Sequence, residues 1–398
     1  MIDILTNGLL NSPVPIQFTG NYCSHNCSYC FANINNPKRK LDIKAVASQL
    51  KNYQKRNDLP SYFLREKYPL LISNNIDPFS KSNQPFVNDL IYQLQDIGVP
   101  VALATRGGIG WEEISKDIPP SVWYVSIPYQ DDDLRKKYEP HAPAIEERYN
   151  LIETIIKQGH KVILSINPFN PIFAPNPIQI IEKAIKLGVK SILINKLHLT
   201  SVQQANMIES HKKIVGSELL EQAKKRGYTN EWLNLALEMY DYCILNDINL
   251  LGMDSGLNQN NFIEFKECYA KTLPTLFDFM NWCYDNKEEG DLITFSDFFN
   301  FFAPLLPNIE KADISKYIVN KAVTGDKDFY KKMNFKNILH LYWEHPKLNI
   351  GLAKNYPAFS FAKRQTENKL DYIYDENHNK MLYYNKLNFN TNENIIIE

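Results

Sequence analysis

Three times along the chain an amphipathic stretch ends at a glycine and a continuous apolar run begins almost at once: LQDIGVPVALAT at Gly98, IIKQGHKVILSI at Gly159 and AIKLGVKSILIN at Gly188. In a fourth copy, CILNDINLLGM, Asn246 takes the glycine's place. Glycine or asparagine after a helix is the left-handed cap that turns the chain into a following strand. The runs do not alternate in polarity, as strands buried on both faces do not. With VPIQFTG, YPLLISN and VWYVSIP added, about seven strands alternate with helical segments such as LDIKAVASQLKNYQ, where Ile43, Val46 and Leu50 share one face. This order restricts the fold to α/β, a parallel β/α barrel or open sheet, with its chemistry on loops at the carboxyl ends of the strands.

The rhythm stops near residue 256. FIEFKECYAKTLPTLFDFMNWCYDN and FSDFFNFFAPLLP are aromatic-rich helical segments, DYIYDENHNKMLYY reads as a hairpin around a polar turn, and NFNTNENIIIE reads as a tail. The 398 residues therefore divide into a parallel β/α barrel or open sheet over 1–256 and a mainly helical C-terminal region over 257–398.

With 44 Lys and Arg against 45 Asp and Glu, no global field draws nucleic acid or membrane, so any nucleic-acid site has to be local. The sequence shows neither a signal-peptide pattern nor an apolar run of membrane-spanning length, and a cytoplasmic location is expected. In that reducing compartment clustered cysteines hold metal more readily than disulfides.

Such a cluster exists. TGNYCSHNCSYCFAN places Cys23, Cys27 and Cys30 directly after the first apolar run, on a carboxyl-end loop. Structural zinc takes four ligands, usually from two separated pairs, and no second pair is present. A ferredoxin run supplies four cysteines followed by proline; here there are three, followed by Phe31. An iron–sulfur cube held this way keeps one iron open to a ligand.

Cys-x3-Cys-x2-Cys with an aromatic residue on each side of the last cysteine resembles the signature of radical S-adenosylmethionine (SAM) enzymes. The resemblance implies a [4Fe–4S] cluster on Cys23, Cys27 and Cys30, a partial parallel (β/α)6-type barrel, and SAM chelated at the open iron and cleaved to a 5′-deoxyadenosyl radical that abstracts hydrogen from substrate. It extends to ISNNIDPFSKSN, similar to the Thr-Asp-Pro-Tyr element of the spore photoproduct lyase-like branch at Asp77, Pro78 and Phe79, with Asn83 where an acid is usual. VSIPYQDDDLRKKYEPHAPAIEERYNLIETIIKQG is similar to a second element of that branch at Glu139, Pro140, Ala142, Pro143 and Arg148.

The resemblance also implies roles. Tyr29 meets the adenine through its backbone and Phe31 packs nearby; Arg106 stands where a lysine approaches the SAM carboxylate; Ser126 and Asn167 match positions that contact the methionine or ribose, and Ser73 is placed with them as cofactor-binding. Glu139 and Arg148 are expected to pair and hold their loop. Asp77 is open between capping, turn formation and substrate contact. One departure matters: the lyase proper has a hydrogen-donating cysteine near the end of its second strand, and here that stretch reads Ser73, Asn74, Asn75. Hydroxyl and amide groups hold hydrogen too strongly for that task, so a substrate other than the spore photoproduct is expected.

Cys243, Cys268 and Cys283 are open between hydrogen donor, second-cluster ligand and the commoner state of a small buried hydrophobe. His25, inside the cysteine loop, is expected to bond backbone, and His198 to follow the sixth strand toward the cavity; His141, His211, His340, His345 and His378 carry no argument. Basic groups at Lys38 to Lys40, Arg135 to Lys137 and Lys224 to Arg226 read first as solvated faces. Family likeness favours a nucleobase in DNA or RNA as substrate and an electron donor such as flavodoxin or ferredoxin as partner. A peptide or small-molecule substrate, or a non-catalytic iron–sulfur or metal-binding module, are the alternatives.

Overall fold

The computed structural model describes residues 2–5, 10, 12–35, 40–72, 76–224, 228–252, 263–307, 339–340, 343, 359–367 and 369–386. One sheet holds eight strands in strict chain order: β1 (Ile2–Ile4), β2 (Ile16–Phe18), β3 (Leu70–Ile72), β4 (Val101–Thr105), β5 (Val122–Ser126), β6 (Lys161–Phe169), β7 (Ser191–Lys196) and β8 (Asn249–Gly252). β1 runs antiparallel to β2, and every later pair is parallel. Parallel crossovers are right-handed, so strands laid down without reversal put their connecting helices on one face. That is the winding of a β/α barrel. Among the described residues β8 does not pair back to β1, and the barrel is incomplete. The seven parallel strands are those expected from the sequence; β1, two buried isoleucines around an aspartate, is too short to show a pattern.

The connecting layer consists of α1 (Phe31–Asn35), α2 (Ile43–Asn52) and α3 (Leu59–Arg65) before β3, then α4 (Gln84–Asp96), α5 (Trp111–Asp117), α6 (Asp132–Tyr138), α7 (Ile145–Lys157) and α8 (Pro177–Lys186). After β7 come α9 (Ser201–Asn206), α10 (Glu209–Val215), α11 (Ser217–Lys224) and α12 (Asn230–Leu245). Alternate strand residues serve two cores. Leu103, Trp123, Val125, Leu164 and Ile192 join the large helix-facing core. Ala102, Val122, Ile163 and Leu193 face the other way and meet Phe265 of α13 (Ile263–Cys268) and Tyr269 just after it. The Tyr269 hydroxyl donates to the Val101 carbonyl and accepts the Val122 N–H (3.0 Å), which locks this plug across two strand starts.

The caps follow the expected scheme with one correction. Gly98, Gly159 and Gly188 have φ of 73°, 90° and 97°. In each case the next N–H reaches back five residues, as Val99 does to the Leu94 carbonyl at 2.7 Å. In the fourth copy the left-handed residue is Asp247 (φ 55°) rather than Asn246, and Ile248 N–H bonds the Cys243 carbonyl at 2.9 Å. Aspartate, short and polar, tolerates that region.

The C-terminal region contributes α13, α14 (Leu276–Asn286) and α15 (Phe295–Phe302), and with them two small sheets. Phe279 of α14 packs edge-on against Phe298 of α15 at 5.1 Å. β9 (Leu292–Ile293), β10 (Phe359–Phe361) and β13 (Leu382–Tyr384) form one sheet; β11 (Lys363–Thr366) and β12 (Lys369–Tyr372) form the other. Of the expected hairpin the turn is present, with Tyr374 bridging Lys380 and Asp375 Oδ1 accepting the Asn377 and Asn379 N–H groups, each at 2.9 Å, but the strands on either side, β12 and β13, pair in different sheets. The boundary expected at 256 and the tail NFNTNENIIIE fall outside the described residues, and α13, just past that boundary, packs on β5 and β6. No helix among the described residues is long and apolar enough to cross a membrane.

Candidate functional site

The cysteine loop leaves the carboxyl end of β2 and closes through short local bonds, Asn26 N–H to the Cys23 carbonyl (3.3 Å) and Cys30 N–H to the Cys27 carbonyl (3.1 Å). The Asn33 side chain clasps Cys23, accepting its N–H at 3.1 Å and donating to its carbonyl at 2.9 Å. The segment after β3 holds the outer side: Ser24 N–H donates to Ser82 Oγ (3.1 Å), Ser82 N–H to Ser24 Oγ (3.2 Å), and Asn21 N–H to Asn83 Oδ1 (2.8 Å). Asn83, which stands where the related motif has an acid, thus serves as a strut.

Beneath the loop lies a buried charged network. Glu139, fully buried, accepts at Oε1 from Tyr29 Oη and Arg106 Nε (2.8 Å), and at Oε2 from Arg148 Nη2 (2.7 Å). The expected Glu139–Arg148 pair is therefore present, and Arg148 also donates to the Ser126 and Pro143 carbonyls at 2.9 and 3.0 Å. Burial by itself would raise the Glu139 carboxyl, but the two guanidiniums and the Tyr29 hydroxyl outweigh it and hold it at about 2. Tyr129 Oη donates to Tyr29 Oη (3.2 Å), and Phe173 packs against both rings.

Asp77, 4% exposed, forms the second node. Its carboxylate accepts from Phe79 N–H (3.0 Å), Thr105 Oγ1 (2.8 Å) and Arg106 N–H (2.5 Å). Turn formation is thus its observed work. His25 spans the same gap, with Nδ1 3.1 Å from the His141 carbonyl and Nε2 3.2 Å from Gly107's and 3.4 Å from Asp77. Backbone contact was expected for His25; the carboxylate was not. Gly108 (φ 146°) lets the loop after β4 cross this segment, since a Cβ there would overlap the Phe79 carbonyl oxygen.

The other expected positions are distributed around this frame. Ser126 Oγ donates to the Asn167 carbonyl at 3.0 Å, tying the ends of β5 and β6 together. Phe31 is 44% exposed at the start of α1. Ser73, with Asn74 and Asn75, lies outside the described residues. Cys243 and Cys283 are fully buried in the large core, and Cys268, the last residue of α13, is half-buried against the cluster around Phe265 and Tyr269, which is the packing of small hydrophobes. His198 is exposed on the stretch after β7. The links from Arg106 and Tyr29 to Glu139 were not foreseen: they join positions 33 and 110 residues apart, and no local pattern carries them.

Cys23, Cys27 and Cys30 are free thiols. Burial first, then Asp77 and Cys30, pushes Cys23 up to about 12; burial likewise raises Cys27 and Cys30. Thiolates here need a cation to compensate them, which is what a metal centre provides. Among the described residues no three Cys, His, Asp or Glu side chains are grouped so that they could hold a single metal ion.

No family model matches the chain, and none of the curated proteins does. Solved structures resemble it in part. SuiB of Streptococcus suis bound to S-adenosylmethionine is 14% identical, with TM-score 0.43 over 64% of this chain and 54% of that one. A spore photoproduct lyase complexed with dinucleoside spore photoproduct is 10% identical, with TM-score 0.44 over 60% and 76%. SuiB bound to its precursor peptide SuiA gives 14% and 0.41. The chain spans about half the length of SuiB.

Proposed function

We propose that the chain is a radical SAM enzyme in which Cys23, Cys27 and Cys30 hold a [4Fe–4S] cluster and SAM binds across the adjoining strand ends. The observation that carries this reading is three free thiols, Cys23 and Cys27 buried and Cys30 half-buried, with no fourth beside them among the described residues, on the carboxyl-end loop of a singly wound parallel sheet. When bound, such a cluster supplies the single electron that breaks the sulfonium C–S bond of SAM and so initiates hydrogen abstraction from substrate carbon.

Each chain residue then has a task. Arg106 commits Nε to Glu139, which leaves its two terminal nitrogens to meet the SAM carboxylate. Tyr29 ties the cysteine loop to the same glutamate, so loop and guanidinium share one anchor. Ser126 and Asn167 border the ribose and methionine, and Phe31 shields the adenine from water. For substrate we keep a nucleobase in DNA or RNA; salt-dependent oligonucleotide binding separates it from a peptide or small molecule.

The test is anaerobic reconstitution with iron and sulfide, reduction with dithionite, and assay for 5′-deoxyadenosine from SAM. Production by the parent and none by Cys27→Ala supports the proposal. A full cluster that neither cleaves SAM nor responds to it would make the centre structural.

A further inference from the structure

Between Ile4 and Asn57 the chain carries seven Lys and Arg residues against one acid, Asp42, although its overall formal charge is −1. The fold brings Lys40, the first of these basic residues that the structure describes, to the cysteine loop. Leu41 N–H donates to Asn21 Oδ1, and Ser82 Oγ donates to the Tyr22 carbonyl at 2.8 Å. Exposed Lys40 and Lys81 therefore flank Tyr22, which is 44% exposed and adjoins Cys23. From Lys40 the exposed face continues through Lys44 and Lys51 of α2 to Lys55. The opposite side of α2 is turned inward: Val46 and Leu50 are buried, and Gln49 Oε1 accepts the Ile2 N–H of β1 at 3.3 Å.

A basic helix face is ordinarily just solvated. Two observations set this one apart. The side chains of Lys40, Lys44, Lys51, Lys55 and Lys81 make no ion pair or hydrogen bond among the described residues, and the one acid between Lys40 and Asn57, Asp42, caps α2 by accepting the Ala45 N–H at 2.9 Å. The face also occupies the β1 edge of the sheet, one strand from the cysteine loop and away from the strand ends of β4 to β7 that SAM and substrate require.

We infer that this face docks an acidic one-electron carrier protein, flavodoxin-like or ferredoxin-like in surface charge, which reduces the centre on Cys23, Cys27 and Cys30. The inference rests on the reading of that loop as a cluster site. In the step the carrier loses one electron and the cluster gains one, with no bond made or broken. An uncompensated positive patch raises the encounter rate of an acidic partner and makes it sensitive to salt.

The test compares the reconstituted parent with Lys40→Glu/Lys44→Glu/Lys81→Glu, and with the milder Lys→Gln set, after iron content has been matched. Cluster bleaching is followed by anaerobic stopped flow with reduced flavodoxin and, separately, with photoreduced deazaflavin, a small probe that needs no docking surface. The inference expects the bimolecular rate with flavodoxin to fall roughly tenfold or more on charge reversal and to drop with added salt, while the deazaflavin rate stays the same. Equal flavodoxin rates in parent and variants would overturn it. So would parental oligonucleotide binding that the same substitutions abolish, which would assign the face to nucleic acid. A parent that takes up no cluster would overturn the underlying reading instead, a result visible in the iron analysis before any rate is measured.

Discussion

The two ends of the barrel treat buried charge in opposite ways. At the carboxyl end Glu139 is surrounded by Tyr29, Arg106 and Arg148, and Asp77 by three hydrogen-bond donors and His25. At the amino end Glu264 of α13, 3% exposed, has neither carboxylate oxygen partnered among the described residues; Ser191, the first residue of β7, stands nearby without completing a hydrogen bond. The first carboxyl is held low and charged, whereas burial pushes the second above its usual range. A compensated charge fixes the position of everything bonded to it. An uncompensated one only opposes its own ionisation, so burial works against charge on Glu264 while the charge on Glu139 organises a site.

The sharpest way to break this contrast is to remove each acid in turn. Glu139→Ala leaves two arginines without their shared partner and should cost about 3–5 kcal/mol in urea unfolding. Glu264→Gln should stay within about 1 kcal/mol of the parent and lie on the stabilising side at neutral pH. Equal losses would show that both ends depend on charge alike. Next in size, Tyr29→Phe should lose roughly 1.5–3 kcal/mol, because its hydroxyl serves a buried carboxylate.

The pH dependence should run in opposite directions at the two ends. Glu139 titrates at 4.5 when unfolded and about 2 when folded, so its contribution is complete above 4.5 and is lost as pH falls toward 2. The folded pKa of Glu264 is raised, so the parent should lose stability relative to Glu264→Gln as pH rises from 4.5 through that value. The difference in unfolding free energy between the two proteins, measured across pH, reads this directly. The smallest effect concerns His160. Its Nδ1 accepts the Ser121 N–H (3.0 Å), and Nε2 donates to the Ser115 carbonyl (2.7 Å), which fixes a neutral tautomer. Burial lowers its pKa from 6.5, so below 6.5 the unfolded chain takes up the proton first and stability should fall. His160→Ala should remove that slope.

Local features of the sequence foretold the helix–glycine–strand units, because each is set by a cap and an apolar run a few residues long. The cysteine loop was legible for the same reason, and the Glu139–Arg148 pair lies only nine residues apart. What escaped depends on tertiary closure. The α13 plug, the Tyr29–Glu139–Arg106 link and the two C-terminal sheets join distant segments, and His160 reads as an ordinary strand-start residue until the Ser115 and Ser121 backbones meet it. The shift from Asn246 to Asp247 shows the limit even of the local signal, since two adjacent residues both suit a left-handed cap.

The central claim is that three cysteines leave one iron open to SAM. It is tested most directly by electron paramagnetic resonance of the reduced, reconstituted protein with and without SAM, beside Cys27→Ala. The account predicts a cluster signal in the parent that SAM alters and no such signal in the variant. A parental signal that SAM leaves unchanged would contradict it.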